Sequence, residues 1–148
     1  MKIIGSGAAG IVYDFDASKI LKVSKYQKFN DAAILFDLQG IESFPILYDA
    51  GEGWYVAEKF IGENFDEAKE LKQDWKEVFL SDVAKAFDIG WEIQDLKKDN
   101  LLIVDGYLKM FDVGMFTKSS KVDKEDTLYW TKSLLDYFDQ SKYDTTKL

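Results

Sequence analysis

Between residues 90 and 103 the chain reads Gly90-Trp91-Glu92-Ile93-Gln94-Asp95-Leu96-Lys97-Lys98-Asp99-Asn100-Leu101-Leu102-Ile103. Acidic, basic and amide side chains fill this segment up to Asn100, and an apolar run follows directly. Asp105-Gly106 comes next, and this dipeptide between two apolar runs is a strong hairpin signal. Leu101–Val104 and Tyr107–Phe111 are therefore predicted to be paired strands, so the charged segment leads straight into a hairpin.

Toward the N-terminus the sequence predicts short strands and one helix. The predicted strands are Ile3-Ile4, Ile11–Phe15, Ile20–Val23, Ile46–Tyr48 and Trp54–Ala57. Turn residues such as Gly51-Glu52-Gly53 separate them, which is typical of an antiparallel meander. A helix is predicted from about Asp31 to Leu38, capped by Asn30 and ended by Gly40.

Helical spacing of apolar residues returns from Asn64 onward, as in Leu71, Trp75 and Phe79. Asn64 and Glu67 resemble a capping box, which predicts a helix start at this point. A last helix is predicted from about Lys124 to Phe138. The order of elements predicts an α+β fold in which two small lobes meet near residues 59–64.

The composition excludes several kinds of chemistry. The 148 residues are 47% hydrophobic and include no Cys and no His, so disulfides, thiolate sites and imidazole bases are excluded. All 19 basic residues are Lys, so any phosphate must be held by Lys, backbone amides or a metal ion. A net charge of -8 argues against nucleic acid as a partner.

The sequence contains no feature that directs it to a membrane. Its first residues lack the long apolar stretch of a signal peptide, and apolar runs such as Leu101–Val104 are too short to span a bilayer. We therefore expect a cytoplasmic protein that does not bind membranes.

The segment Gly5-Ser6-Gly7-Ala8-Ala9-Gly10 matches G-x-G-x-x-G, a pattern of several phosphate-binding loops. A strand, Ile11–Phe15, follows it where a dinucleotide fingerprint would have a helix, and no Lys-Ser/Thr pair follows as in a Walker A loop. The protein-kinase form, a glycine loop between two strands followed by Val12, fits this context. A plain glycine-rich hairpin is the alternative. Lys22, in the next strand, reaches either the underside of this loop or solvent.

Together these motifs resemble the protein-kinase superfamily. The segment Asp95-Leu96-Lys97-Lys98-Asp99-Asn100 resembles the catalytic loop D-L-K-x-x-N, and Asp112-Val113-Gly114 resembles the metal-binding D-F-G. The resemblance extends from about Ile3 to Met115 and points to a minimal, truncated atypical kinase. It implies one domain of residues 1–148, with an antiparallel-sheet lobe over about 1–60 and a much reduced helical lobe over 61–148.

The resemblance also implies roles for individual residues in phosphate transfer from ATP. Asp95 would accept the proton of the acceptor hydroxyl, and Lys97 would contact the transferred phosphate. Asn100 and Asp112 would hold Mg²⁺, and Lys22 would bind the upstream phosphates. The nucleotide would further contact Gly5, Gly7, Gly10, Val12, Glu58, Phe60 and Asn64, with Asp66 as an alternative to Asn64 at the ribose.

The chain departs from the kinase pattern in three places. The acid expected on the first helix is Asp31 rather than Glu, so it either pairs with Lys22 or only favours the helix start. Gln94 stands where most kinases have Arg, which argues against switching by phosphorylation of Thr117, Ser119 or Ser120. No A-P-E motif follows, and few residues remain for a second lobe.

The last helix is apolar over a wide face, formed by Leu128, Trp130, Leu134, Leu135 and Phe138. It is predicted to pack under the catalytic loop, with Asp126 supporting that loop. Binding of a partner protein, or a homodimer interface, is the alternative for this helix.

Three functions remain open from the sequence. The first is a serine/threonine protein kinase that uses Mg-ATP. The second is a kinase of a small-molecule alcohol, and the third is a pseudokinase that acts as a nucleotide-dependent binding protein.

Overall fold

The computed structural model describes residues 1–7, 10–25, 31–119 and 123–142. The loop tip Ala8-Ala9, the cap Asn30 and the acceptor Ser120 lie outside these ranges. The strands are β1 (Ile3–Ser6), β2 (Gly10–Asp14), β3 (Lys19–Ser24), β4 (Leu47–Gly51), β5 (Trp54–Glu58), β6 (Trp91–Glu92), β7 (Leu101–Val104), β8 (Tyr107–Met110) and β9 (Thr117–Lys118). The helices are α1 (Asp31–Asp37), α2 (Trp75–Ile89) and α3 (Lys124–Lys142), and a 3-10 turn covers Lys98–Asn100.

The first five strands form one antiparallel sheet in the order β1-β2-β3-β5-β4. The predicted meander is confirmed for β1–β3, whereas β5 lies beside β3 and leaves β4 at the edge. Lys22 on β3 is opposite Val12 on β2 and Tyr55 on β5. Directly opposed residues of neighbouring strands project from the same face, so these three side chains form one row across the sheet.

The hairpin predicted from Asp105-Gly106 is confirmed. Both residues have positive φ, 52° and 85°, as a type I′ turn requires. The ladder pairs Leu101 with Met110, so the open end of this hairpin brings Asn100 and Asp112 into the same region.

The start of α2 differs from the prediction. Residues 64–74 are not helical, although Asn64 accepts hydrogen bonds from the backbone N–H groups of Glu67 and Ala68 through its carbonyl. The Lys72 N–H donates to the carbonyl of Gly106, which ties this segment to the β7–β8 turn. Tertiary hydrogen bonding therefore overrides the helical periodicity here, and α2 begins only at Trp75.

One apolar cluster runs through the described residues and joins all the major elements. It includes Leu35 of α1, Phe79 of α2, Met110 of β8 and Leu135 of α3, each at most 1% exposed. The α+β mixture of a small antiparallel sheet with helices is thereby confirmed. In the described ranges, no helix has both the length and the apolar character needed to cross a membrane.

The predicted wide apolar face of α3 is only partly buried. Leu135 and Phe138 are in the core, but Trp130 is 67% and Leu134 is 41% exposed. Successive side chains of a helix are rotated by about 100°, so Trp130 and Leu134, four residues apart, lie on the same flank of α3. The described elements leave this flank partly exposed. The prediction that the wide apolar face packs as core therefore holds for Leu135 and Phe138 and is wrong for Trp130 and Leu134.

Candidate functional site

A cavity of about 360 Å³ lies between the face of the sheet that carries Lys22 and the open end of the β7–β8 hairpin. This volume is within the range of small-molecule sites. Six of the residues predicted to bind nucleotide or metal line it: Gly5, Val12, Lys22, Glu58, Phe60 and Asp112. The remaining predicted ligands Gly7, Gly10, Asn64 and Asn100 do not line this cavity, and neither do the predicted catalytic residues Asp95 and Lys97.

Lys22 is 7% exposed and lies between two carboxylates. Its Nζ is 2.6 Å from Asp31 Oδ2 and 4.0 Å from Asp112 Oδ1. The first contact decides the alternative left open for Asp31, which pairs with Lys22. Because both partners are buried, the pair compensates charges that would be costly to bury alone.

Asp31, the first residue of α1, is 2% exposed. Its Oδ2 also accepts a hydrogen bond from the Tyr55 hydroxyl at 3.3 Å. Its Oδ1 has no hydrogen-bond partner among the described residues and lies close to Gly114. Burial, and then the negative charges of Asp31 and Asp112, raise the pKa of Tyr55 well above its ordinary value. Tyr55 therefore stays protonated and acts as a donor.

The predicted catalytic residues Asp95, Lys97 and Asn100 form a second cluster. The Asn100 Nδ2 donates to the Asp95 carbonyl at 2.9 Å and to Asp95 Oδ2 at 3.0 Å, and Lys97 Nζ is 3.6 Å from Asp95 Oδ1. Asp95 has a φ of 62°, which is uncommon for a residue with a side chain. Residues with such backbone conformations are frequent at functional sites, and the Asp95 carboxylate contacts Asn100 and Lys97.

The residues predicted to hold a cation carry the kind of oxygen atoms that Mg²⁺ binds. Both partners of the Asn100 amide nitrogen are acceptors, and no described group donates to the other atom, Oδ1, so this oxygen is available to a cation. Asp112 supplies a carboxylate, and oxygen ligands suit Mg²⁺. No cluster of three acidic side chains that could hold a metal occurs in the described ranges. Asn100 and Asp112 would therefore need the phosphates of a nucleotide to complete the coordination. Protein-bound Mg²⁺ is commonly held in this way, by one or two side chains and substrate phosphates.

The glycine loop is a β1–β2 hairpin closed by a hydrogen bond from the Gly7 N–H to the Gly10 carbonyl at 3.0 Å. Gly10 packs directly on the β3 backbone at Val23, where any side chain would clash. A Cβ on Gly7 would have no described atom within 4 Å, so this part of the loop is open.

The segment after β5 is held by backbone hydrogen bonds. The Glu58 N–H donates to the Ile46 carbonyl and the Lys59 N–H to the Ser18 carbonyl. The Phe60 N–H has no backbone partner in the described ranges, and Phe60 lines the cavity. Asp66 is bound to Lys98 at 2.9 Å.

Sequence reasoning missed Glu92, which is 8% exposed and connects three parts of the chain. It accepts hydrogen bonds from Thr127 Oγ1 on α3 at 2.9 Å and from Thr117 Oγ1 and Gln94 Nε2, both at 3.3 Å. Asp126, predicted to support the catalytic loop, is exposed, and the next residue on α3 makes the contact instead. An acid between two apolar residues, Trp91 and Ile93, was the available signal.

Comparison with known proteins identifies the fold. No family model and no curated protein matches the sequence. The structure is similar to the Legionella pneumophila kinase Lpg2603 bound to IP6, with a TM-score of 0.60 and 20% identity. The match covers 96% of this chain and 58% of that one, so this chain spans little more than half of the kinase. The chain therefore has a kinase-like fold.

Proposed function

We propose that this protein is a phosphotransferase that moves the γ-phosphate of Mg-ATP to a Ser or Thr hydroxyl on a protein. The observation that carries the proposal is the position of Lys22, buried in the cavity wall between Asp31 and Asp112. In kinases a lysine of the sheet is held by an acid on a neighbouring helix, and its ammonium group is thereby directed toward the nucleotide phosphates.

The cavity offers the groups that a nucleotide needs in a chain without arginine. Lys22 supplies positive charge for the phosphates, and Gly5, which lines the cavity, has no side chain to obstruct their approach. The Phe60 N–H has no acceptor among the described residues and is therefore a candidate donor to an adenine ring. Asn100 and Asp112 would hold the magnesium ion, which neutralises phosphate charge when bound.

Asp95 is the proposed acceptor of the hydroxyl proton. Phosphoryl transfer needs alignment and charge neutralisation more than covalent help from the protein. The bonds from Asn100 hold Asp95 in place, and the exposed Lys97 is available to the transferred phosphate. The two-lobed arrangement of ordinary kinases remains part of this proposal.

A protein acceptor is favoured by a groove of about 270 Å³ beside Asp95, here called the acceptor groove. Asp95 and Leu96 form one side, and Trp130 and Leu134 of α3 form the other. Exposed aromatic side chains are typical anchors for protein segments. The groove contains Asp95 itself, so a segment seated on Trp130 would bring its hydroxyl to the proposed base.

The test is transfer of label from γ-labelled ATP with Mg²⁺ to proteins of a cell extract. Wild type is compared with Asp95→Asn and with Asp99→Asn, which makes the same change at an exposed acid of the same loop. We expect wild type and Asp99→Asn to label protein and Asp95→Asn to lose at least about 100-fold, as expected of a general base.

The other outcomes separate the alternatives. Turnover of ATP without protein labelling would contradict a protein acceptor and indicate a small-molecule acceptor instead. Nucleotide binding without turnover would contradict catalysis and leave a nucleotide-dependent binding protein, a role that Gln94 in place of the usual arginine would permit. Equal activity of Asp95→Asn and wild type would remove Asp95 from the mechanism.

A further inference from the structure

The acid that pairs with Lys22 is unusually short, and it is held from a second side. Asp31 has one methylene fewer than the Glu expected from the kinase resemblance, so it has less reach toward the sheet. Even so, its Oδ2 lies 2.6 Å from Lys22 Nζ. The same oxygen accepts the Tyr55 hydroxyl at 3.3 Å. Both hydrogen bonds that described side chains donate to Asp31 therefore end on the same carboxylate oxygen.

Tyr55 is placed for this contact by the order of strands in the sheet. It lies on β5 directly opposite Lys22 on β3, so the two side chains stand side by side on one face. Tyr55 is 5% exposed and lines the cavity next to Lys22 and Asp112. A buried phenol without a hydrogen-bond partner is costly, and among the described residues Asp31 is the acceptor of its hydroxyl.

The unpartnered atom of Asp31 makes this contact more important. Because Oδ1 has no hydrogen bond in the described ranges, the hydrogen bonds that orient the carboxylate there come from Lys22 and Tyr55, both to Oδ2. Lys22 is a flexible side chain that can follow the acid, whereas Tyr55 is fixed by the strand and by its ring. Tyr55 is therefore the rigid reference point of the group.

We propose that Tyr55 is a positioning residue that anchors the Asp31 carboxylate and thereby keeps Lys22 directed into the nucleotide cavity. The effect of Tyr55 on catalysis rests on the proposed function. Its effect on the position of the Lys22 amine does not, and can be measured without nucleotide. Tyr55 acts through Asp31 and requires no contact with the nucleotide.

The experiment measures the freedom of the Lys22 amine without nucleotide. Reductive methylation with formaldehyde is followed by mass spectrometry, and the partly exposed Lys19 of the same strand is the internal reference. Tyr55→Phe removes only the hydroxyl, and Tyr137→Phe is the control at an exposed ring on α3. Asp31→Ala and the double variant Asp31→Ala/Tyr55→Phe complete a thermodynamic cycle.

We expect Lys22 to be methylated at least threefold faster in Tyr55→Phe than in wild type, relative to Lys19, and Tyr137→Phe to match wild type. The double variant should match Asp31→Ala, since the hydroxyl acts only through that acid. With Mg-ATP, Tyr55→Phe should raise KM for ATP about tenfold and change kcat less. A general loss of structure would instead also raise the labelling of the partly buried Lys59 and Lys76 and lower kcat.

An unchanged Lys22 rate in Tyr55→Phe would overturn the inference, whatever the activity. An equal additional increase in the Asp31→Ala background would also overturn it, because Tyr55 would then act independently of Asp31. If Lys22 is released as expected but wild type transfers no phosphate, the proposed function fails while the role of Tyr55 stands.

Discussion

Gly114 lies against the carboxylate of Asp31. A Cβ built on Gly114 would be 2.5 Å from Asp31 Oδ1, so the segment after Asp112 can pass this buried acid only without a side chain. The backbone of Gly114 does not have a positive φ, and steric contact is therefore the reason for glycine here. This contact connects the Lys22–Asp31 pair with the segment that carries Asp112.

Gly114→Ala should displace Asp31 and lower the free energy of unfolding by about 1–3 kcal/mol, the usual cost of overpacking. The matched control is Gly7→Ala, where a Cβ would have no described atom within 4 Å and stability should change by at most about 0.5 kcal/mol. Urea unfolding followed by tryptophan fluorescence measures both. Equal stability of the two variants would contradict the steric argument.

Lys22→Met should cost about 3–5 kcal/mol of stability, because it leaves Asp31 charged and buried without its cation. The double variant Lys22→Met/Asp31→Ala removes the uncompensated charge and should recover most of this loss. Neither variant should transfer phosphate. If the double variant is as unstable as the single one, Lys22 stabilises the protein through its packing rather than through the pair.

Thr127→Val should lower both stability, by about 1–3 kcal/mol, and transfer, because Glu92 loses its hydrogen bond to α3. Thr131→Val is the control, since Thr131 is buried on the same helix but donates to the helix carbonyl of Thr127. We expect Thr131→Val to keep kcat. A similar fall of kcat in both variants would indicate that packing of α3, rather than the Glu92 contact, supports the catalytic loop.

Acid should weaken the attachment of α3 to α2. Hydrogen bonds from Lys76 and then Lys132, at 3.0 Å each, lower the pKa of Asp136 below its ordinary value of 3.8. The stabilisation is therefore complete above pH 3.8 and lost as the pH falls through the lower pKa of the folded protein. Asp136 is nearly half exposed, so the effect should be below about 1 kcal/mol.

The check is urea unfolding at pH 5 and at pH 3 for wild type and Asp136→Asn. Wild type should lose more stability between the two pH values than the variant does, and 1 M NaCl should reduce the difference. An equal loss in both proteins would show that the lowered pKa of Asp136 does not contribute to stability.

Local motifs predicted the residues at the cavity better than they predicted what holds those residues in place. Lys22 and Asp112 follow from short patterns, and the Asp105-Gly106 turn places Asn100 near Asp112. Tyr55 could not be found in this way, because its contact depends on β5 lying beside β3, strands that are not consecutive. Only the sheet order brings it opposite Lys22.

The phase of a helix is equally hard to predict from sequence. A shift of one residue rotates a side chain by about 100°, which is why Thr127 rather than Asp126 contacts Glu92. The same rotation separates the exposed Trp130 from the buried Thr131. Periodicity gave the existence of α3, but its contacts depend on how it packs on α2 and β6.

Trp130→Ala should raise KM for a protein acceptor about tenfold, the usual result of removing an aromatic anchor, and leave KM for ATP unchanged. Trp130 is in the acceptor groove and outside the nucleotide cavity, so its removal should affect only one substrate. The control is Phe36→Ala, at a 71% exposed aromatic residue of α1 that lines neither pocket. Steady-state transfer with each substrate varied in turn gives both constants.

Sedimentation of the same variants tests whether a second copy of the chain covers Trp130 instead. If wild type dimerises and Trp130→Ala is monomeric with an unchanged KM for the acceptor, the exposed flank of α3 is a homodimer interface. A monomeric wild type whose acceptor KM rises in Trp130→Ala alone would support the groove as the acceptor site. An acceptor KM that rises equally in Phe36→Ala would contradict it, because a distant exposed residue should not influence docking beside Asp95.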